Sequence, residues 1–478
     1  MRGLIGVLAA ATLLAAGCGG TTTHAGAGAS SIVPASAPAF IAIDSNPSSD
    51  QWRTINQLAG KFPDKQKAVD SIKQDMSKDG VDWAKDVKPA LGDEFDFVWL
   101  DFENNGEDLV GLTQPRDAAK FKALVAKTNA AAKSPSDKAF YDTFEGWAVV
   151  APKQAAIDRF ERESNAATAM LGDDKSFKQS MDRLGTDSAV RAYVNGKSLM
   201  ELARRYGGAP LRPYIDKLGK LDWIAARVGA TSEGIGLDTL VHGTPGSLFK
   251  GSTKSSSFSP KLLGSVPADA LVYLSFHGSK GMFNGLRQNP ALNTPQFRQF
   301  AQPLQQLGRI FEGENALYAR PGTSIPEVTL LSTPGISGSP ILDRIVKKFA
   351  GSAPKTQTID GTRVHMLAEH GMGLYYADVN GKFVVTDRPQ GIAAANGSGK
   401  SLSESGEFQS AKNASGMPDK TWSTLYVNVH ASIPYGERLA QQHIPAEIAR
   451  NLKPLRSAVE YAASHTHEIQ VTFFLRIK

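Results

Sequence analysis

Several short stretches of the chain combine residue types able to do chemistry. Gly397-Ser398-Gly399-Lys400-Ser401 has the glycines, lysine and hydroxyl that cradle a nucleotide phosphate. The first glycine of such a loop should fall where Ala394 stands, and the stretch follows an alanine-rich helical pattern instead of a strand, so it reads as a flexible loop. Asp101, Glu103, Asn105 and Gly106 imitate a calcium loop, but its closing bidentate carboxylate falls on Leu112. A hairpin turn with acidic flanks accounts for them better. His365, Glu369 and His370 lack the helical His-Glu-x-x-His spacing and read as a strand end and turn. His465 and His467 share a strand parity before the last strand; two imidazoles at i and i+2 can bind a metal, but no third ligand can be named. There is no Gly-x-Ser-x-Gly elbow and no credible Ser/His/Asp set. The sequence therefore predicts no catalytic residue, no metal, no cofactor and no enzyme, and it names no ligand-binding side chain.

One reactive residue remains, Cys18, the only cysteine of the chain. It closes Leu13-Leu14-Ala15-Ala16-Gly17-Cys18 at the end of an apolar run from Leu4. That run is shorter than the roughly 20 residues a bilayer span needs, and with Arg2 before it residues 1–17 read as a signal peptide. The stretch resembles a bacterial lipobox, in which the chain is cut before the cysteine and that cysteine takes fatty acyl chains such as palmitate. Each buried methylene contributes about 0.8 kcal/mol, so two or more chains hold a protein firmly on a membrane. The expectation is a lipoprotein on the outer face of the cytoplasmic membrane. An acylated Cys18 leaves no thiol for a disulfide, a zinc site or a nucleophile.

The elements behind these residues fill 478 positions, more than one ordinary domain. A formal charge of +6 is spread with both signs mixed, most densely from Lys61 to Asp79. That mixture reads as a solvated helix face and not a nucleic-acid patch. Residues 18–31, the expected lipidated cysteine and tether, hold no large apolar side chain after Cys18 and read as flexible. Beyond them the chain repeats itself. Val33-Pro34-Ala35 is answered by Val266-Pro267-Ala268, Gly146-Trp147-Ala148-Val149-Val150 by Gly381-Lys382-Phe383-Val384-Val385, Tyr193-Val194-Asn195 by Tyr426-Val427-Asn428, and Ile235-Gly236-Leu237 by Ile469-Gln470-Val471, at spacings of 233–235. Pro115 answers Pro340 at a smaller spacing, so the second copy is shorter before that helix and longer after it, with a further hairpin at Asp360-Gly361.

Each copy mixes strands and helices. Asn105-Gly106, Glu145-Gly146 and Asn380-Gly381 signal hairpins. Phe121, Leu124 and Val125 share one helix face after Pro115; Ser339 can cap a second helix with Pro340 in its first turn and an apolar stripe at Ile341, Leu342, Ile345, Val346 and Phe349. The last strand puts Ile469, Val471, Phe473, Leu475 and Ile477 on one side and Gln470, Thr472, Arg476 and Lys478 on the other, with Phe474 as the exception. The six tryptophans are spread through helix- and strand-like segments and read as core. The expected class is α+β: two tandem copies of a mixed sheet-and-helix unit with largely antiparallel strands, at 32–242 and 263–478, joined by a Gly/Ser/Thr/Lys-rich linker at 243–262.

The Val-Pro-Ala start, the Gly-x-x-Val-Val strand and the lipobox together resemble a family of actinobacterial exported proteins, domain of unknown function family 3352. The resemblance implies membrane-attached proteins of unassigned function and supplies no catalytic residues. The function expected is a non-enzymatic binding or scaffold module of the cell envelope, with the membrane as one partner and an envelope protein or lipid as another. The alternative is a carrier of lipid or another hydrophobic ligand, held in a cavity between sheet and helices.

Overall fold

Turn residues that tolerate a left-handed backbone decide where the strands reverse. Glu145-Gly146, Asp360-Gly361 and Asn380-Gly381 have φ of 48° and 81°, 47° and 78°, and 48° and 75°. Two successive positive φ values make the primed turn whose twist suits a hairpin, and each pair closes one. The computed structural model describes residues 27–103, 108–208, 215, 219–245, 257–278, 307–323, 325–369, 372–397, 399–441, 443–465 and 467–478. Cys18, the signal stretch, Asn105-Gly106, His370 and 246–256 lie outside them.

The fold is α+β around one antiparallel sheet of 18 strands among the described residues. The first eight are β1 (Ala39–Asp44), β2 (Glu94–Trp99), β3 (Leu109–Thr113), β4 (Phe140–Phe144), β5 (Trp147–Ala151), β6 (Val190–Asn195), β7 (Gly219–Thr231) and β8 (Gly234–Pro245). They pair in the order β4-β5-β3-β2-β1-β6-β7-β8. The others are β9 (Val272–Gly278), β10 (Gly313–Arg320), β11 (Glu327–Ser332), β12 (Lys355–Ile359), β13 (Thr362–Glu369), β14 (Met372–Val379), β15 (Lys382–Thr386), β16 (Ser423–Val427), β17 (Leu455–His465) and β18 (Glu468–Ile477). They pair as β18-β17-β16-β9-β10-β11-β15-β14-β13-β12. The final strand β18 pairs with β8, so strands from before and after the expected linker share one sheet.

Apolar runs explain why both faces are covered. β5 reads Trp-Ala-Val-Val-Ala and is buried throughout, as expected for a strand packed on both sides. Trp147, Val149 and Ala151 meet Ile157 and Phe160 of α4 (Gln154–Ala166) and belong with Phe177, Met181 and Leu184 of α5 (Lys175–Leu184) in one core. Ala148 and Val150 face the opposite core, built on Phe121, Leu124 and Val125 of α3 (Ala118–Ala131). After β9, Ile341 and Val346 of α7 (Ser339–Ala350) lie in one core, and α8 (Pro389–Ala395) and α9 (Gly406–Ser415) give Ile392 and Phe408 to another. The remaining helices are α1 (Asp50–Ala59), α2 (Lys65–Lys78), α6 (Gly196–Tyr206), α10 (Val429–Ala440) and α11 (Ala446–Leu452).

Several boundaries differ from the sequence expectation. The 3₁₀ turn Gly28–Ser31, with Ala29 fully buried, shows that the expected tether is already folded at its end. β8 runs through Gly243–Pro245 and another 3₁₀ turn begins at Lys261, so both ends of the expected linker are structured. Pro115 lies before α3, which Asp117 caps by accepting from Lys120 N at 3.0 Å. Ser339 does not cap α7. Asp378, at the end of β14, accepts from Gly338 N at 2.9 Å and Ser339 N at 3.1 Å and satisfies the helix start instead. Phe349, expected on the apolar stripe, is 46% exposed.

Candidate functional site

The last strand is inverted relative to an ordinary amphipathic strand. Its polar residues Glu468, Thr472 and Arg476 are buried, whereas Ile469, Val471 and Leu475 are half-buried and Phe473 is 40% exposed. The pairing partners continue the apolar side: Ile235 opposes Leu475, Leu237 opposes Phe473, Thr239 opposes Val471 and Val241 opposes Ile469. Directly paired residues share a face, so a largely apolar band crosses the β8–β18 seam, with Leu237 also 40% exposed. An antiparallel sheet commonly leaves one face to solvent, but that face is normally the polar one.

The buried side explains the polar residues. Arg476 donates to Glu407 of α9 at 3.0 Å, and Arg456 of β17 donates to the same carboxylate at 2.6 Å. Arg183 of α5 holds Glu468, while Asp238 of β8 accepts from Arg227 at 2.8 Å and from Thr472 at 2.6 Å. These bonds clamp α5 and α9 onto the seam from one side. Burial alone would raise the pKa of Glu407, but the hydrogen bond from Arg456 and the charges of Arg456 and Arg476 outweigh it and hold it below the usual carboxylate value.

On the other side the band opens into a cavity of about 500 Å³. Trp52, Ile55 and Leu58 of α1 and Val69 and Ile72 of α2 form its roof, and Ile235, Leu455, Leu475 and Ile477 form its floor. Local sequence sets these walls. Ser49 caps α1 by accepting from Trp52 N at 3.3 Å. Trp52 donates its indole N–H to Asp44 O at 2.7 Å, leaving its faces to the cavity lining. Gln51 accepts from Ala230 N at 2.8 Å and so fixes α1 to β7. In α2 the apolar residues Ala68, Val69, Ile72 and Met76 recur at helical spacing, yet only Met76 is fully buried. Asn451 of α11 accepts from Asp64 N at 3.1 Å at the start of α2, and Lys67 pairs with Glu447, so this wall is fixed to the part of the chain beyond β9. Lys65 and Asn56 supply polar atoms among the lining residues. A second cavity of about 270 Å³, including Ile224, Val241 and Ile469, lies at the other end of the same ladder.

The sequence-marked residues fall elsewhere or play supporting parts. Arg159 holds Asp101, Asp108 at 3.0 Å and Glu163 at 2.6 Å, and Arg205 holds Glu103, so both described acids of the calcium-loop mimic are in ion pairs. His365 stacks on Tyr376 and places Nδ1 2.8 Å from Asp343 of α7, whose carboxylate also accepts from Tyr376 at 2.7 Å. His465 ends β17 while His467 sits in the turn at φ 62°, so the two do not share one strand; both line the smaller cavity. Ser401 forms a capping box with Glu404, a local structural role for the end of the phosphate-loop mimic. Among the described residues no three His, Cys, Asp or Glu side chains group as a metal would require. Trp52, Trp147 and Trp223 are buried as expected, and the other three tryptophans are half-buried.

Sequence alone marks the floor residues Leu475 and Ile477 as one side of a strand but does not single out the α1 and α2 walls of the large cavity. The signal of the α2 wall is the stripe Ala68, Val69 and Ile72, inside the charge-rich stretch that reads as a solvated helix face. Chemically the cavity offers apolar contact with a small polar rim, the form of a small-molecule site in size and lining. The chain matches the family described as protein of unknown function (DUF3352) over residues 3–312. No curated protein and no solved structure matches it.

Proposed function

The chain belongs to the DUF3352 family, and from that premise and the geometry of the seam we propose a non-enzymatic binding module of the cell envelope that holds an apolar ligand against the β8–β18 sheet. Cys18 anchors the module by acyl chains to the outer face of the cytoplasmic membrane, where such ligands are abundant. The inverted burial of β18 carries this reading. A central strand that turns its apolar side toward a cavity and its charged side inward sacrifices core burial at the seam, and a bound apolar ligand would recover it.

A tandem duplication accounts for the site lying where it does. In support, the pairing order β5-β3-β2-β1-β6-β7-β8 is matched by β15-β11-β10-β9-β16-β17-β18. β7 has a bulge between Leu221 and Trp223, and β17 has one between Leu455 and Ser457. Glu94 Oε1 accepts from Gly28 N at 2.6 Å, and Glu314 Oε1 accepts from Leu262 N at 2.6 Å, each at an opening 3₁₀ turn. On this reading the joined edges of two copies built an apolar surface that neither has alone.

Native mass spectrometry of protein extracted from membranes tests the binding reading: a bound apolar molecule is expected, and its consistent absence would overturn it. Cys18→Ser tests the anchor separately. That variant is expected in the soluble fraction, and continued membrane attachment would remove the anchor from the proposal.

A further inference from the structure

We infer that the occupant of the large cavity is a single-chain anionic amphiphile, a fatty-acid carboxylate, with its chain against the seam and its head at Lys65 and Lys61; this rests on the reading of the cavity as a ligand site. Size argues for one chain. A space of about 500 Å³ lies in the lower part of the range of small-molecule sites, room for one alkyl chain. Charge argues for the head group. Lys65 lines the cavity half-buried, and its amine donates to Asn56, at 3.3 Å to the carbonyl and also to the side-chain oxygen. Lys61 donates to the carbonyl of the cavity residue Ile477 at 2.9 Å and to Ser232 O at 3.4 Å.

Among the described residues neither ammonium meets a carboxylate. On the same helix Lys67 is paired with Glu447, and Lys78 with Asp75 at 2.7 Å. Asp64, the acid next to Lys65, instead accepts from Asn451. Two cations whose protein partners are neutral oxygens therefore stand at the apolar space, Lys65 in its lining and the exposed Lys61 at the carbonyl of Ile477. A carboxylate arriving there gains charge-assisted hydrogen bonds without breaking an internal ion pair.

The test is titration calorimetry of ligand-stripped mature protein with sodium dodecanoate and with 1-dodecanol, which differ in the head alone. Dodecanoate is expected to bind about 10-fold tighter or more, and the double variant K61M/K65M is expected to erase that difference. Equal affinities in the unsubstituted protein, or a difference that survives in the double variant, would overturn the head-group assignment and leave the cavity reading standing. Binding of neither compound would overturn both. Should the double variant not fold, the comparison on the unsubstituted protein alone decides.

Discussion

Leu475 and Phe474 are neighbours on β18 with opposite surroundings, and truncating each separates a ligand wall from a core. Phe474 is 4% exposed on the clamped side, whereas Leu475 is half-buried and lines the cavity. Burying a whole leucine side chain is worth about 1.5–3 kcal/mol. With part of Leu475 already open to the cavity, Leu475→Ala should cost about 1 kcal/mol of stability, below the roughly 2–5 kcal/mol of a closed core site. The ligand covering the open part loses a comparable contact, about 1 kcal/mol, or about 5-fold in Kd. Phe474→Ala should cost about 3–5 kcal/mol of stability and leave ligand affinity unchanged where the variant is folded. Urea denaturation gives the first quantity, and displacement of an apolar fluorophore gives the second. If Leu475→Ala is as destabilising as Phe474→Ala and leaves the fluorophore affinity untouched, the space above the seam is an ordinary core defect and not a site.

Asp96 is fully buried, and burial first, then the neighbouring Glu94, pushes its pKa well above the usual carboxylate value. Its favourable contribution is present below about pH 4 and is lost as pH rises through the raised native value, so Asp96→Asn should gain stability relative to the unsubstituted protein as pH rises above about 4; denaturation across a pH series checks the slope, and the opposite trend refutes it. Glu407 has the reverse sign. Its pKa is lowered in the native state, so its contribution is present above about pH 4.3 and fades as pH falls through the native value. Glu407→Gln should therefore be less stable than the unsubstituted protein at neutral pH, with the gap closing in acid; a gap that widens in acid would show that the arginine clamp is misassigned. A methyl group at Gly338 would stand 2.3 Å from the ring of Phe383, so Gly338→Ala should lower stability by about 1–3 kcal/mol, and an unchanged melting curve would show that α7 can shift freely.

Local signals in the sequence were legible where one short stretch settles the structure. Glu145-Gly146 and Asn380-Gly381 announce hairpins because few other pairs accept two positive φ values, and Phe121, Leu124 and Val125 announce a helix face because they recur at its period. The cap of α7 was not legible, because Asp378 arrives from a strand distant in sequence. The site was least legible. Alternation in β18 fixes which residues share a side, but a period of two cannot say which side meets protein; Phe474, which breaks the pattern, marks the filled side. The cavity needs α1, α2, β8, β17 and β18 together, and those elements span residues from Asp50 to Ile477.

The strand β18 is interior to the sheet, lying between β8 and β17. Until β18 is placed, β8 and β17 each offer an open strand edge. Closing them requires contacts between distant parts of the chain, the kind of pairing that slows folding. A product truncated before Glu468 would keep both edges unsealed, and each could recruit the β18 of an intact neighbour and join the two molecules by an exchanged strand.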